Sequence, residues 1–279
     1  DPNSLTVSGT TLFGTAGSGG TSAGGTIYSI NSSGAGYTQY QNFGSATGDG
    51  LFPNAGLTQL GSKFYGTTAQ GGGSGSIGTI FSVNTDGSGL TFLRKFLGGA
   101  NDGSFAFSDL IAVGAKLYGT ANQGGASNKG IVFSYDTASS QFATLHSFGS
   151  IANDGSQPVG GVTLVGSTLY GTTQVGGASP TSGIIYSLNT DGTGYQVVQN
   201  FLGGFIDGAQ PRADLTLVNN TLFGTTVAGG SSGGGTVFAL AVPEPAAWIP
   251  AALAAFALVG MACGRSSPEL TRHSRTGNG

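Results

Sequence analysis

The 279-residue chain carries 54 glycines, only 8% charged residues and a formal net charge of −3. Between Asp1 and Val242 ten Asp stand against six Lys plus Arg, a net of −4, and no basic run could neutralise a phosphate backbone, which argues against nucleic acid as a partner. The single cysteine, Cys263, leaves no intrachain disulfide and no cysteine-based metal cluster.

The chain opens at Asp1 with neither Met nor a basic-then-apolar leader, so a mature or truncated product is expected, any signal peptide having been removed. The first self-similar element is LFGT at Leu12, which returns as FYGT at Phe64, LYGT at Leu117, LYGT at Leu169 and LFGT at Leu222. A double glycine follows at a constant offset, beginning at Gly19, Gly71, Gly124, Gly176 and Gly229, and then a β-rich run such as Thr79-Ile80-Phe81 or Ile184-Ile185-Tyr186. Copies in register at this period are the signature of a repeat architecture.

Within the fourth copy four short strands are predicted: Val162 to Val165, Thr168 to Thr172, Gly183 to Leu188 and Tyr195 to Phe201. Gly-rich and Asp-Gly links make each copy a four-stranded antiparallel meander. The run Ile184-Ile185-Tyr186 is apolar on both faces of its strand, so the sheet needs cover on both sides. Radial packing of sheets supplies that cover at about 50 residues per unit; a parallel β-helix is the competing architecture. The expected fold is therefore an all-β propeller of about five four-stranded blades, near 1–48, 49–101, 102–153, 154–206 and 207–242. The last blade is incomplete, stopping after its third strand near Leu240, so the ring should lack one strand. An uncovered edge of that kind invites strand addition.

The run Val132-Phe133-Ser134-Tyr135-Asp136 with Phe142 shortly after, preceded by Gly124-Gly125, resembles a kelch blade, with Phe, Tyr or Leu where kelch repeats prefer Trp. The unit LYGTT..GG followed by I-I-Y-S-L-N-T-D-G-T-G-Y, NF and DG, as it stands from Leu169, more closely resembles the tandem repeats called GloVer. These occur in bacterial surface proteins with variable C-terminal anchors, and the resemblance covers nearly all of residues 5–242. It implies location and architecture rather than chemistry.

Residues 243–279 form a separate segment. Pro243-Glu244-Pro245 is followed by eighteen mostly apolar, uncharged residues, 246–263, and then by Arg265, Arg272 and Arg275. As a helix the stretch would rise about 27 Å, close to the hydrocarbon thickness, with Trp248 as an interfacial aromatic and the arginines on the positive-inside side. That order resembles the PEP-CTERM sorting signal processed by exosortases in Gram-negative bacteria that make extracellular polysaccharide. It implies Pro243, Glu244 and Pro245 as recognition residues, membrane contact through 246–263 before processing, an exosortase-type partner, and a destination at the cell surface, outer membrane or extracellular matrix. The arginines are more widely spread here than in the usual signal.

Catalytic constellations are lacking. Of two histidines, His146 lies in a strand where the other copies place Gln41, Arg94 and Gln199, and His273 lies in the tail, so neither a histidine metal cluster nor a hydrolase triad is visible. The one polar feature repeated in register is Asp-Gly, at Asp49, Asp102, Asp154 and Asp207. Loops after the second and fourth strands emerge on one side of a meander, so these carboxylates are expected to crown one face. There they could meet sugar hydroxyls or Ca²⁺, the one cofactor open at this stage. The alternative is a turn in which Asp bonds its own backbone and Gly supplies positive φ. Asn84-Thr85-Asp86-Gly87 and Asn189-Thr190-Asp191-Gly192 read as hairpin turns. The function expected is a non-enzymatic structural or binding module of the cell surface or matrix, associated with exopolysaccharide. A carbohydrate-binding or carbohydrate-active propeller and a self-assembling fibre subunit are the alternatives.

Overall fold

Hydrophobic alternation on strands separated by tight turns builds five sheets in chain order. The computed structural model describes residues 2–242 other than 76 and 206, and among these no helix occurs, so none is long and apolar enough to cross a membrane. The Pro243-Glu244-Pro245 motif, the expected helix over 246–263 and Arg265, Arg272 and Arg275 lie outside the described residues. Blade 1 consists of Pro2–Ser8, Thr11–Ala16, Thr26–Asn31 and Thr38–Asn42; blade 2 of Thr58–Leu60, Lys63–Thr68, Thr79–Asn84 and Thr91–Lys95. Blade 3 consists of Ile111–Val113, Lys116–Ala121, Ile131–Asp136 and Phe142–Ser147; blade 4 of Val162–Val165, Thr168–Thr173, Ile184–Asn189 and Gln196–Asn200. Blade 5 has Thr216–Val218, Thr221–Gly229 and Val237–Ala241. Neighbouring strands pair antiparallel in sequential order, as a meander requires. The first hairpin of blades 1 to 4 turns on a glycine of φ near +60°, Gly9, Gly61, Gly114 or Gly166, whereas blade 5 uses Asn219 and Asn220, both left-handed.

The aromatic-Gly-Thr signature has a structural cause at each of its positions. The glycine sits opposite the aromatic of the third strand, Gly66 against Phe81, Gly119 against Phe133 and Gly171 against Tyr186. The ring lies across it: a Cβ on Gly171 would stand 2.3 Å from Tyr186 Oη. The threonine turns to the next blade. Thr15 Oγ1 donates to Ala55 O at 2.6 Å and Thr120 Oγ1 to Gly160 O at 2.9 Å, both buried. The aromatic before the glycine packs on the following blade, as Phe13 does on Phe64 with ring centroids 4.6 Å apart.

Four apolar clusters accordingly lie between blades 1 and 2, 2 and 3, 3 and 4, and 4 and 5, centred on Phe64 and Phe81, on Leu117 and Phe133, on Leu169 and Tyr186, and on Leu215 and Leu222. The first strands lie innermost and side by side. This is a β-propeller-like arrangement. The expected mutual shielding of all five meanders fails at two faces, however. Leu5 of blade 1 is 48% exposed and Val237 of blade 5 is 77% exposed, although their equivalents in the other blades are buried. No blade covers these faces among the described residues, so the five sheets form an open arc.

At one equivalent position each crossover from an outer strand to the next inner strand carries a left-handed residue that is not glycine: Phe52, Phe105, Gln157 or Gln210, with φ of 57 to 60°. Its two backbone groups fix it. Gln157 N–H donates to Lys129 O in the loop of blade 3, and Gln157 O accepts from Gln174 N in the loop of blade 4, at 2.8 and 3.0 Å. Phe105 bridges blades 2 and 3 in the same manner through Ile77 O and Asn122 N. Two hydrogen bonds to two blades hold a conformation that an L-residue otherwise avoids.

Candidate functional site

The crossovers and the Gly-Gly loops, which join the second and third strands, open on the same side of the arc. Small two-stranded ribbons tie them together: Gly50–Leu51 with Gln70–Gly71, Gly103–Ser104 with Gln123–Gly124, and Gly155–Ser156 with Val175–Gly176. The first glycine of every Gly-Gly pair is left-handed, and in all but the first pair a Cβ would also collide with an Asp carbonyl. Gly176 has φ +92°, and a Cβ there would come within 2.5 Å of Asp154 O.

All four Asp-Gly carboxylates belong to this face, and each is engaged by its own loop. Asp49 accepts from Ala46 N at 2.8 Å, Asp102 from Leu97 N at 2.9 Å, and Asp207 from Leu202 N at 2.7 Å. Asp154 accepts from Gly149 N and Gly155 N at 2.7 and 2.8 Å. Asp102 and Asp154 are only 7% exposed. The expected crown of solvent-facing carboxylates is therefore not displayed at those two positions, because the side chains cap N–H groups that burial would otherwise leave without partners. Among the described residues no group of three or more His, Cys, Asp or Glu is arranged to hold a metal.

Two Asp-Gly aspartates also anchor a cross-blade contact. Asp154 receives His146 Nε2 at 3.1 Å and the hydroxyl of Tyr195, while the His146 ring stacks on Tyr195 with centroids 3.4 Å apart and planes 9° apart. One blade earlier Arg94 binds Asp102 at 2.9 Å and lies 3.9 Å over the ring of Phe142. In both, a side chain of one outer strand is sandwiched between the Asp of its own crossover and an aromatic of the next blade. Burial by itself pushes the Asp154 carboxyl up, but the hydrogen bonds from His146, Tyr195 and Gly155 and the charge interaction with His146 together outweigh it, and the group is held below the usual carboxylate range. The ordinary strand role expected for His146 thus includes an inter-blade contact whose partners stand too far away in sequence to be read.

Recesses open among these loops. A cavity of about 330 Å³ lies at Lys129, Ile151, Asn153, Asp154, Ser156 and Pro180. One of about 480 Å³ is lined by Phe205 and by the Gly229-Gly230-Ser231-Ser232-Gly233 loop. Another, of about 470 Å³, draws together Asn3, Asn54, Asp109, Val159 and Arg212, and so lies where the first strands of successive blades converge. There Asp109 accepts from Ser4 Oγ of blade 1 at 2.8 Å and from Gly56 N at 2.6 Å, and Asp214 accepts from Gly161 N at 2.5 Å. These axial carboxylates escaped sequence reading because the position alternates between glycine and Asp. The available signal was Asp immediately before the first apolar residue, Asp109-Leu110 and Asp214-Leu215, where the neighbouring copies have Gly56-Leu57 and Gly161-Val162.

The same face exposes apolar side chains: Leu97 at 65%, Ile151 at 51%, Leu202 at 64% and Phe205 at 81%. Isolated exposed apolar residues need no explanation, but these four share one set of loops. Two of them, Ile151 and Phe205, border the outer recesses.

Residues 2–182 match the model of the Gloeobacter/Verrucomicrobia repeat. No curated protein matches the sequence. Among solved structures the chain is similar in fold to one in a nidogen/laminin complex, with a TM-score of 0.51 and 15% identity, covering 78% of this chain and 68% of that one. It is also similar to the extracellular domain of the one-component system BT4673 of B. thetaiotaomicron, with a TM-score of 0.52 and 12% identity over 85% of this chain; the match spans 27% of that longer protein.

Proposed function

The chain belongs to the Gloeobacter/Verrucomicrobia repeat family, and from that premise we propose that it is an exported, non-enzymatic binding module that takes polysaccharide on the face of its crossovers and Gly-Gly loops. The observation that carries this reading is the chemistry of that face. Exposed Ile151 and Phe205 border recesses lined by glycine loops and by Ser and Asn side chains, while the repeated Asp side chains are already engaged within their loops. Sugar rings present apolar C–H faces that stack on Phe and aliphatic side chains, and hydroxyls that pair with backbone groups and small polar side chains.

Affinity electrophoresis through gels containing neutral or acidic polysaccharides tests the reading. Retardation of the wild type that Phe205→Ala or Ile151→Ala weakens, with unfolding unchanged, is expected; a wild type retarded by none of them would overturn it. The resemblance of residues 243–279 to a sorting signal supports export with an exosortase-type partner and delivery to the surface or matrix of a Gram-negative cell. Mass spectrometry of the surface-released chain should then find its C-terminus near Pro245, and a cytoplasmic product intact to Gly279 would argue against export.

A further inference from the structure

The two end faces of the arc are the two halves of an interface that the molecule already makes four times. On the backward face, Leu57, Leu110, Val162 and Leu215 occupy one position and are 5, 3, 2 and 5% exposed, whereas Leu5 in that position is 48% exposed. On the forward face, Ile27, Ile80, Val132 and Ile185 are at most 1% exposed and their equivalent Val237 is 77% exposed; Phe223 is 39% exposed where Phe13, Tyr65 and Tyr118 are 6, 8 and 3%. Tyr37 of blade 1, equivalent to the stacked Phe142 and Tyr195, is 60% exposed. The forward face also holds an open cleft of about 240 Å³ lined by Thr216, Phe223, Gly224, Thr225 and Val237, with Asp214 at its border.

We propose that the forward face of blade 5 binds the backward face of blade 1 of a second copy, repeating the internal blade contact between chains. The internal contacts set the register of two polar pairs, each made at three of the four: Ile111 lacks the hydroxyl for the first, and Thr172 Oγ1 has no partner for the second. Thr6 and Thr58 donate to Leu57 O and Leu110 O, and Thr163 donates to Leu215 O at 2.5 Å; by the same step the exposed Thr216 donates to Leu5 O of the next copy. Thr15 donates to Ala55 O, so the exposed Thr225 donates to Asn3 O of that copy. Because the two surfaces differ, the contact is heterologous, and copies join head to tail into a ring or an open chain.

Complementation in sedimentation velocity tests this with the full chain. Leu5→Glu and Val237→Glu change side chains already exposed in the single chain, so both variants should fold, and an unchanged urea midpoint verifies it. At about 100 μM, well above a micromolar dissociation constant, the wild type should sediment as species larger than a monomer and each variant as a monomer. Mixed, the two variants should form a one-to-one dimer, because Leu5→Glu retains an intact blade 5 face and Val237→Glu an intact blade 1 face. A monomeric wild type at this concentration, or a mixture that stays monomeric, would overturn the proposal. So would assembly that survives either single substitution, since that contact would lie elsewhere.

Discussion

Replacing Gly171 by Ala tests the explanation given for the repeat signature. The new methyl would sit 2.3 Å from Tyr186 Oη and 2.5 Å from Cζ, roughly 1 Å inside ordinary contact. Tyr186 cannot retreat freely, because it is fully buried against Phe148 and Tyr195, with ring centroids 5.0 and 6.0 Å away. Overpacking of this kind costs about 1–3 kcal/mol, while the restricted backbone of Ala in the unfolded chain returns about 0.4–1 kcal/mol. The net loss is therefore about 1–2 kcal/mol, or a fall of roughly 2–8 °C in melting temperature for a chain of this size. Thermal and urea melts followed by near-ultraviolet circular dichroism of the tyrosines would read it. Gly234→Ala is the control, since Gly234 is exposed and a Cβ there meets nothing within 4 Å; it should move stability by less than about 0.5 kcal/mol. Combining Gly171→Ala with Tyr186→Leu removes the colliding ring, so the double variant should be less destabilised than the two single losses added together. A Gly171→Ala protein as stable as the wild type, or a strictly additive double variant, would refute the ring-over-glycine account.

Other consequences concern single side chains. Tyr186 Oη is buried without a hydrogen-bond partner, and the second, third and fifth repeats carry Phe81, Phe133 and Phe238 at that position; Tyr186→Phe should therefore raise the urea midpoint by an amount equivalent to about 1 kcal/mol, and a lower midpoint would contradict the assignment. Asp154→Asn should cost about 1.5–3 kcal/mol at neutral pH, because one amide replaces an acceptor that serves His146, Tyr195 and backbone N–H groups. The folded carboxyl of Asp154 lies below its unfolded value of about 3.9, so its stabilisation is present above pH 4 and fades as pH falls through the folded value; urea midpoints of wild type and variant measured from pH 7 to pH 3 should accordingly converge toward the acid end. Gln157→Val places a β-branched residue at φ +58° and should destabilise by about 1–2 kcal/mol, whereas Gln157→Gly relieves the strain and should stay close to wild type in the same melts.

What each repeat does within itself is legible in its own residues. The four strands read from the fourth copy agree with the observed ones to within one residue at most ends, because Gly166, the Gly-Gly pair and Asp191-Gly192 punctuate the chain at turns that need them. What repeats do to one another is not. His146 reads as an ordinary strand residue until Asp154 and Tyr195 close around it, and Tyr195 arrives from the next blade. Phe52, Phe105, Gln157 and Gln210 give no left-handed signal, since neither Phe nor Gln favours that region; their conformation is imposed by hydrogen bonds to two blades. The ribbons were illegible for a related reason: two residues beside an Asp-Gly pair carry too little pattern to be called a strand.

Periodicity is also blind to the ends of an array. Leu5 and Leu57 are the same residue in the same motif, and Val237 differs from Ile185 by one methylene group, yet one member of each pair is buried and the other lies in the open. In a repeat array each unit is stabilised by its neighbours, and terminal units ordinarily acquire polar outer faces that keep them soluble. Here blade 1 keeps Leu5, Val7 and Tyr37 exposed and blade 5 keeps Val218, Phe223 and Val237 exposed, with the composition of interior blades. Charge would be the simplest means of making a terminal face unattractive to a partner, and none of these six positions carries one. The end blades therefore retain the surfaces of units that have neighbours on both sides, which is the property a head-to-tail contact requires.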